Sequence, residues 1–229
     1  MKNLVRSMIA LMTLAATLGL SPNAAAQDPK AGDVKAGDAK AGEKKAAMCI
    51  GCHGIPGYKA SFPEVYQVPM IAGQNAKYIV SALGQYKKGD RKHPTMRGVA
   101  TSLSEQDMAD LAAFYSTEAK AEPVPAALTG TVPADVAALL AKGNCASCHG
   151  ANFSAPIDPS YPKLAGQHGD YLYTALREYQ TVNNPQVGRN NAIMMGMARP
   201  LTHGEAKILA NYFSSLPSEL KTVAQSRWR

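Results

Sequence analysis

The 229-residue sequence predicts an all-α protein built from two similar halves. The first observation is an internal repeat, because the same succession of motifs occurs twice between residues 42 and 216. The second is the spacing of apolar side chains in the segments after these motifs, which is typical of amphipathic helices. The third is a helix-capping signal at the same place in each half.

Residues 1–26 have the features of an export signal. Lys2 and Arg6 form a positive start, residues 8–20 form an apolar run, and Ala24–Ala26 offers small residues for cleavage. A membrane anchor is the alternative, but the apolar run is short for spanning a bilayer. We therefore expect cleavage at the end of this segment and a periplasmic location, where conditions are oxidising.

The rest of the chain divides at changes in composition. Residues 27–38 repeat Lys, Ala, Gly and Asp and offer little to bury, so they are expected to form a flexible arm. Residues 39–121 form the first predicted domain and residues 134–217 the second. Residues 122–133 between them contain three prolines and are predicted to be a linker. The tail, residues 218–229, shows no chemical motif.

Each half begins with the pattern C-x-x-C-H, and the two copies contain all four cysteines. Two thiols three positions apart on a helical turn can add to the two vinyl groups of one haem, and the adjacent histidine can then bind the iron. A thioredoxin-like pair would need a βαβ setting, a zinc ribbon would have a shorter gap between the pairs, and disulfides would not require the histidines. The sequence therefore predicts two covalently bound haem c groups. The predicted attachment residues are Cys49, Cys52, Cys145 and Cys148, and the predicted iron ligands are His53 and His149.

The elements after each motif also repeat. A loop with the pattern P-x-[IL]-A-G-Q spans residues 69–74 and recurs at 162–167. An amphipathic helix is predicted next in each half, and its apolar stripe should face a core. The last helix of each half starts with a capping signal, at Ser104 and at Thr202.

The second axial ligand of each iron is expected to be a methionine. When the last helices are superposed, Leu103 matches Leu201 and Met96 falls on Met194. A thioether would complete His/Met coordination, which raises the reduction potential and suits an electron carrier. His93 is the competitor in the first half, and the repeat alignment favours Met96 over it.

The second half leaves more candidates for this ligand. Met195 and Met197 compete with Met194, and the repeat alignment favours Met194. His168 and His203 are expected to be loop or surface residues rather than ligands.

The tandem order of these motifs resembles the dihaem cytochrome c4 family over nearly all of residues 42–216. The resemblance implies two tandem class I cytochrome c domains, each wrapped around one covalently attached haem. It also implies that the carbonyls of Pro69 and Pro162 accept the Nδ1–H of the histidine ligands. A departure is the stretch 182–191, which is longer than its counterpart before Met96.

The resemblance implies a function in electron transport rather than an enzyme. The carrier would be soluble or loosely membrane-associated and would pass electrons from a cytochrome bc-type complex or another donor to a terminal oxidase. The alternatives are a haem subunit of a periplasmic sulfur-compound oxidoreductase and a dihaem peroxidase. A peroxidase needs an iron with an open site, against which the repeated methionine argues.

The net charge and its distribution along the chain bear on whether the partner is a nucleic acid or an acidic protein. Removal of residues 1–26 takes away Lys2 and Arg6 and lowers the formal charge from +7 to +5. No dense basic stripe with interleaved aromatic residues points to nucleic acid. A basic cluster could help to dock an acidic redox partner, although a solvated loop explains it equally well. Its members are Lys87, Lys88, Arg91 and Lys92.

Overall fold

The structure is a computed structural model of the chain. It describes residues 35–119, 124–128 and 130–224. The expected export signal lies outside the described residues, as do residues 27–34 of the expected arm and the last five residues of the tail.

The described residues repeat one order of helices in the two halves. The first half contains α1 (Ala39–Lys45), α2 (Ala47–His53), α3 (Ala76–Lys88), α4 (Pro94–Thr101) and α5 (Glu105–Glu118). The second contains α6 (Ala134–Lys142), α7 (Ala146–His149), α8 (Gly169–Gln180), α9 (Ala192–Ala198) and α10 (His203–Ser215). The strands are two residues each: β1 (Lys59–Ala60), β2 (Tyr66–Gln67), β3 (Arg91–Lys92) and β4 (Gly188–Arg189). The all-α prediction is confirmed.

The first half is organised by the contact of α1 with α5. A Cβ atom on Gly42 would lie 2.0 Å from the carbonyl oxygen of Asp110, so the two backbones approach too closely for any other residue. Lys45 adds ion pairs to Asp107 and Asp110, both at 2.6 Å. The segment that leads into α1 also lies on α5, because the backbone N–H of Lys35 donates to the side chain of Gln106.

The second half has its own apolar core. Phe153 is 1% exposed, and its ring lies 4.8 Å from that of Phe213, measured between centroids. Leu209 of α10 and Leu172 of α8 belong to the same cluster. These aromatic and aliphatic side chains form an apolar core that excludes water from the second half.

The predicted caps of α5 and α10 are confirmed. The Ser104 hydroxyl accepts from the backbone N–H of Asp107, whose carboxylate accepts from the backbone N–H of Ser104. Thr202 and Glu205 form the same reciprocal pair in α10. These bonds satisfy N–H groups that have no partner inside the helix, and they fix where each helix starts.

A strand pairing and the C-terminal tail are among the features that join the halves. Strands β3 and β4 pair in antiparallel fashion, with Arg91 opposite Arg189. The chain after α10 returns to the first half, where the backbone N–H of Lys221 donates to the carbonyl of Ala72 at 3.1 Å. Val223 packs against the apolar core of the first half. The tail, in which the sequence shows no motif, thus contributes to the interface.

None of the helices in the described part of the chain is long and apolar enough to cross a membrane.

Candidate haem sites

The four cysteines lie on short helical turns with their thiols free. Helix α2 holds Cys49 and Cys52 and ends at His53. In the second half Cys145 is the N-cap residue of α7, and its carbonyl accepts from the backbone N–H of His149 at 3.0 Å. All four thiols are half-buried and none is in a disulfide. Burial raises the pKa of the Cys49 and Cys145 thiols.

The two motif histidines are held in the same way. The Nδ1–H of His53 donates to the carbonyl of Pro69 at 2.8 Å, and that of His149 donates to the carbonyl of Pro162 at 2.9 Å. This bond, expected from the family resemblance, is confirmed in both halves. Burial lowers the pKa of both imidazoles, so the neutral form that binds iron is favoured. With the proton on Nδ1, the Nε2 lone pair of each ring is available to a metal.

The two candidate methionines occupy equivalent positions. Met96 is the third residue of α4, and its backbone N–H donates to Nδ1 of the N-cap residue His93 at 3.3 Å. Met194 is the third residue of α9, and its N–H donates to Oδ1 of the N-cap residue Asn191 at 3.0 Å. The loop inserted before Met194 therefore ends in the same cap geometry as the shorter loop of the first half.

Most of the residues that compete with Met96 and Met194 differ from them in contacts or exposure, and Met195 is the exception. His93 uses its second ring nitrogen, because Nε2 lies 3.0 Å from the Tyr66 hydroxyl. Met195 is half-buried like Met194, whereas Met197 is 41% exposed. His203 begins α10 and is exposed, and His168 is the N-cap residue of α8.

Arg91 is buried, although the sequence suggests a surface cation. It is 4% exposed and lies against two tyrosine rings, with its guanidinium carbon 5.2 Å from the centroid of Tyr78 and 5.7 Å from that of Tyr86. Its Nε donates to Gln85 at 2.9 Å and its Nη2 to the Tyr78 hydroxyl at 3.2 Å. The expectation that Arg91 belongs to an exposed docking cluster is wrong, because the aromatic pocket removes it from solvent.

Two lysines of that cluster donate hydrogen bonds to backbone carbonyls. Lys87 Nζ donates to the carbonyl of Leu103 at 2.5 Å, and Lys92 Nζ donates to the carbonyl of Asn184 in the other half at 2.6 Å. Lys92 therefore bridges the halves, and Lys88 is exposed.

Arg189 occupies the equivalent pocket of the second half. It is 7% exposed, and its guanidinium carbon lies 5.4 Å and 5.6 Å from the centroids of Tyr171 and Tyr179. Its Nε donates to a carboxylate oxygen of Glu178 at 2.5 Å. The two pockets thus differ at one polar partner, which is neutral Gln85 for Arg91 and anionic Glu178 for Arg189.

The glutamine that ends each P-x-[IL]-A-G-Q motif forms two hydrogen bonds to the backbone of the opposite half. Gln74 accepts from the backbone N–H of Lys163 at 2.9 Å and donates to its carbonyl at 3.1 Å. Gln167 does the same to Met70, at 3.0 Å and 2.9 Å. The sequence signal was the repetition of a glutamine at one motif position; its partner, on the other half, could not be inferred from one motif alone.

These residues fit two covalent haems. Each half offers two free thiols on one turn, a neutral imidazole with an available Nε2, and a methionine on a capped helix. In the part of the chain that the structure describes, no three or more His, Cys, Asp or Glu side chains are grouped so that they could hold a metal ion. Thioether attachment and His/Met ligation use every one of these groups.

The sequence is similar to those of known proteins. The family model described as Cytochrome c matches residues 39–117 and again 133–217. Cytochrome c4 of Azotobacter vinelandii is 32% identical over 224 residues, covering 90% of this chain and 98% of that protein. A thiosulfate dehydrogenase electron acceptor of Stutzerimonas stutzeri (strain A1501) is 31% identical over 75% of this chain and 80% of that protein.

A solved structure agrees with both the fold and the family. The crystal structure of reduced recombinant cytochrome c4 from Pseudomonas stutzeri superposes with a TM-score of 0.57 at 29% identity. The match covers 79% of this chain and 100% of that one. Taken with the paired motifs and their equivalent histidines, these matches show that the chain belongs to the cytochrome c4 family: it is an electron carrier with two covalently bound haem c groups.

Proposed function

We propose that the protein carries electrons between redox proteins of a periplasmic respiratory chain and that both irons have one histidine and one methionine ligand. The first haem is attached through Cys49 and Cys52 and ligated by His53 and Met96. The second is attached through Cys145 and Cys148 and ligated by His149 and Met194.

The observation that carries this proposal is the equivalence of the two ligand sites. Each histidine gives its Nδ1–H to a proline carbonyl, and each methionine is the third residue of a helix whose N-cap side chain binds that methionine's backbone N–H. When bound, each haem supplies a one-electron ferric/ferrous couple. Ligands held by such bonds keep one geometry in both oxidation states, which suits a carrier and leaves no position open for a substrate.

The visible spectrum of the dithionite-reduced protein, recorded before and after addition of carbon monoxide, tests this proposal. We expect a low-spin c-type spectrum that carbon monoxide leaves unchanged, because both irons are closed. Binding of carbon monoxide to the parent protein would contradict the methionine assignment and support a peroxidase-like role.

Matched variants test the ligands one at a time. Met96→Ala and Met194→Ala should each allow carbon monoxide to bind one haem per chain. Met195→Leu is the control for the second half and should stay closed. An open site in Met195→Leu together with a closed site in Met194→Ala would transfer the ligand role to Met195.

The proposed location and direction rest on other observations. The export-signal features of residues 1–26 and the four haem-linked cysteines support the periplasm. A terminal oxidase as acceptor is what the resemblance of the paired motifs to the cytochrome c4 family implies. Membranes that contain a terminal oxidase should oxidise the reduced protein with saturable kinetics. A rate equal to that of autoxidation in buffer would refute this acceptor.

A second candidate role is acceptance of electrons from thiosulfate oxidation. It is supported by the likeness to the thiosulfate dehydrogenase electron acceptor of Stutzerimonas stutzeri. If the role is correct, a thiosulfate dehydrogenase supplied with thiosulfate should reduce both haems, and omission of thiosulfate should stop the reduction. This donor and a terminal oxidase acceptor are compatible, since they act at opposite ends of the carrier's cycle.

A further inference from the structure

One peptide group connects the histidine of the first half to the second half. The carbonyl of Pro69 accepts from Nδ1 of His53 at 2.8 Å. The N–H of the same peptide belongs to Met70 and donates to Oε1 of Gln167 at 3.0 Å. The imidazole and the side chain of the opposite half are therefore joined through a single peptide unit.

The second half repeats this connection in the reverse direction. The carbonyl of Pro162 accepts from Nδ1 of His149 at 2.9 Å. The N–H of that peptide belongs to Lys163 and donates to Oε1 of Gln74 at 2.9 Å. Each half thus supplies a glutamine to the peptide that holds the other half's histidine.

Both glutamines are locked in orientation. Gln74 and Gln167 are 3% and 4% exposed. The Oε1 atom of each also accepts from the backbone N–H of the following residue at 3.0 Å, and the Nε2 group donates across the interface. A rotation that exchanged oxygen and nitrogen would turn these N–H groups toward another donor, so the acceptor stays aimed at the peptide.

Hydrogen bonds in such a chain strengthen one another. A peptide whose N–H donates to an acceptor becomes more polarised, and its carbonyl oxygen accepts more strongly. A stronger acceptor on Nδ1–H makes the imidazole a more basic ligand, and hydrogen bonding of this kind is one of the means by which a protein sets the potential of a haem. A more basic ligand favours the ferric state and lowers the reduction potential.

We propose that Gln167 and Gln74 are positioning residues that tune the haem of the opposite half, Gln167 through His53 and Gln74 through His149. This inference rests on the proposed histidine ligation. It assigns to the interface glutamines a role beyond holding the halves together: each haem's electronic state depends on a side chain of the other domain.

The paired variants Gln167→Leu and Gln74→Leu test the proposal in the holoprotein. In the ferrous, diamagnetic state, the proton NMR shift of each histidine Nδ1–H reports the strength of its hydrogen bond. Gln167→Leu should move the His53 resonance upfield and raise the potential of the first haem, with His149 at its parent position. Gln74→Leu should do the reverse.

This crossed pattern distinguishes tuning from loss of structure. A shift at the histidine of the variant's own half, equal shifts at both histidines, or no shift at either would overturn the proposal. Gln180→Leu is the control, because this glutamine donates to two backbone carbonyls of its own half at 2.7 Å. It should leave the His53 resonance unchanged.

A conservative variant covers the case in which the leucine variants do not fold. Gln167→Glu keeps an Oε acceptor in either protonation state and, because an ionised carboxylate accepts more strongly than an amide, should leave the His53 resonance at or downfield of its parent position. A full upfield shift in Gln167→Glu would overturn the proposal. Failure of the underlying histidine assignment would be seen separately, because the ring protons of His53 and His149 in the parent would then lack the large ring-current shifts that a haem gives its axial ligand.

Discussion

Arg91 and Arg189 are direct partners in the antiparallel pairing of β3 with β4, although both carry a positive charge and both are buried. Each guanidinium lies over two tyrosine rings, and cation–π attraction offsets part of the cost of removing the charge from water. Only Arg189 is paired with a carboxylate in the described part of the chain, that of Glu178. The interface therefore holds two buried cations and depends on one acidic side chain.

Replacement of that carboxylate should weaken the interface. Glu178→Gln keeps an oxygen acceptor for Arg189 but removes the negative charge, so we expect a loss of about 1–3 kcal/mol in the free energy of unfolding. Urea unfolding of the holoprotein at pH 7 measures it. Glu64→Gln is the control, because Glu64 is exposed although it also accepts a hydrogen bond across the interface, from Thr174. It should change stability by less than about 0.5 kcal/mol, and an equal loss in both variants would contradict the role of the buried charge.

The chain after α10 offers a second test. Leu220 is 4% exposed, and the next residue bonds the backbone of the first half. Leu220→Ala should cost about 2–5 kcal/mol, because a buried leucine is replaced without a group to fill its space. Thermal unfolding followed by circular dichroism measures the loss. Lys207→Ala, at an exposed position of α10, should leave the midpoint unchanged. A midpoint for Leu220→Ala that equals the parent's would show that the tail does not stabilise the fold.

Stability should also fall at acid pH through the contact of α1 with α5. Hydrogen bonds from Lys45 and Ser104 lower the pKa of Asp107 to about 2, and the Asp38 backbone N–H and Lys45 lower that of Asp110. Because the folded-state pKa values are depressed, this stabilisation is complete above the unfolded value of 3.8 and is lost as pH falls toward 2.

Lys45→Met isolates this effect. The variant should be less stable than the parent at pH 6, and the difference should shrink as the pH is lowered from 4 to 2, as measured by urea unfolding at each pH. Lys44→Met removes a neighbouring, exposed lysine and should follow the parent curve. A constant difference between Lys45→Met and the parent over this range would refute the linkage.

Local features were predictable from the sequence because they depend on neighbouring residues. The capping boxes at Ser104 and Thr202 and the amphipathic stripes lie within one or two helical turns. The prediction that Arg91 is exposed is wrong because its burial depends on two tyrosine rings of the preceding helix α3 and on a strand of the other half. A basic residue beside lysines gives no local sign of such a pocket.

The features of the candidate sites that the sequence did not predict are hydrogen bonds between residues far apart in the chain. The bonds of Gln74 to Lys163 and of Gln167 to Met70 join residues far apart in sequence, and no periodic pattern encodes them. The repeat itself was the available signal. A polar residue that recurs at one position of two apolar motifs, and that is buried in both, needs a partner, and pseudo-symmetry places that partner in the other copy.

The close approach of α1 to α5 gives the last prediction. Gly42→Ala would place a methyl group 2.0 Å from the Asp110 carbonyl oxygen and 2.9 Å from Cβ of Phe114. The helices must separate to admit it, which should cost about 1–3 kcal/mol even though alanine is the better helix former. Gly84→Ala is the matched control, because Gly84 lies inside α3 with nothing within 4 Å of the added carbon. It should stabilise the protein by up to about 1 kcal/mol, as intrinsic helix propensity predicts. Urea unfolding of the two variants should therefore move the midpoint in opposite directions. A gain in stability for both would mean that α1 and α5 are not in the contact described.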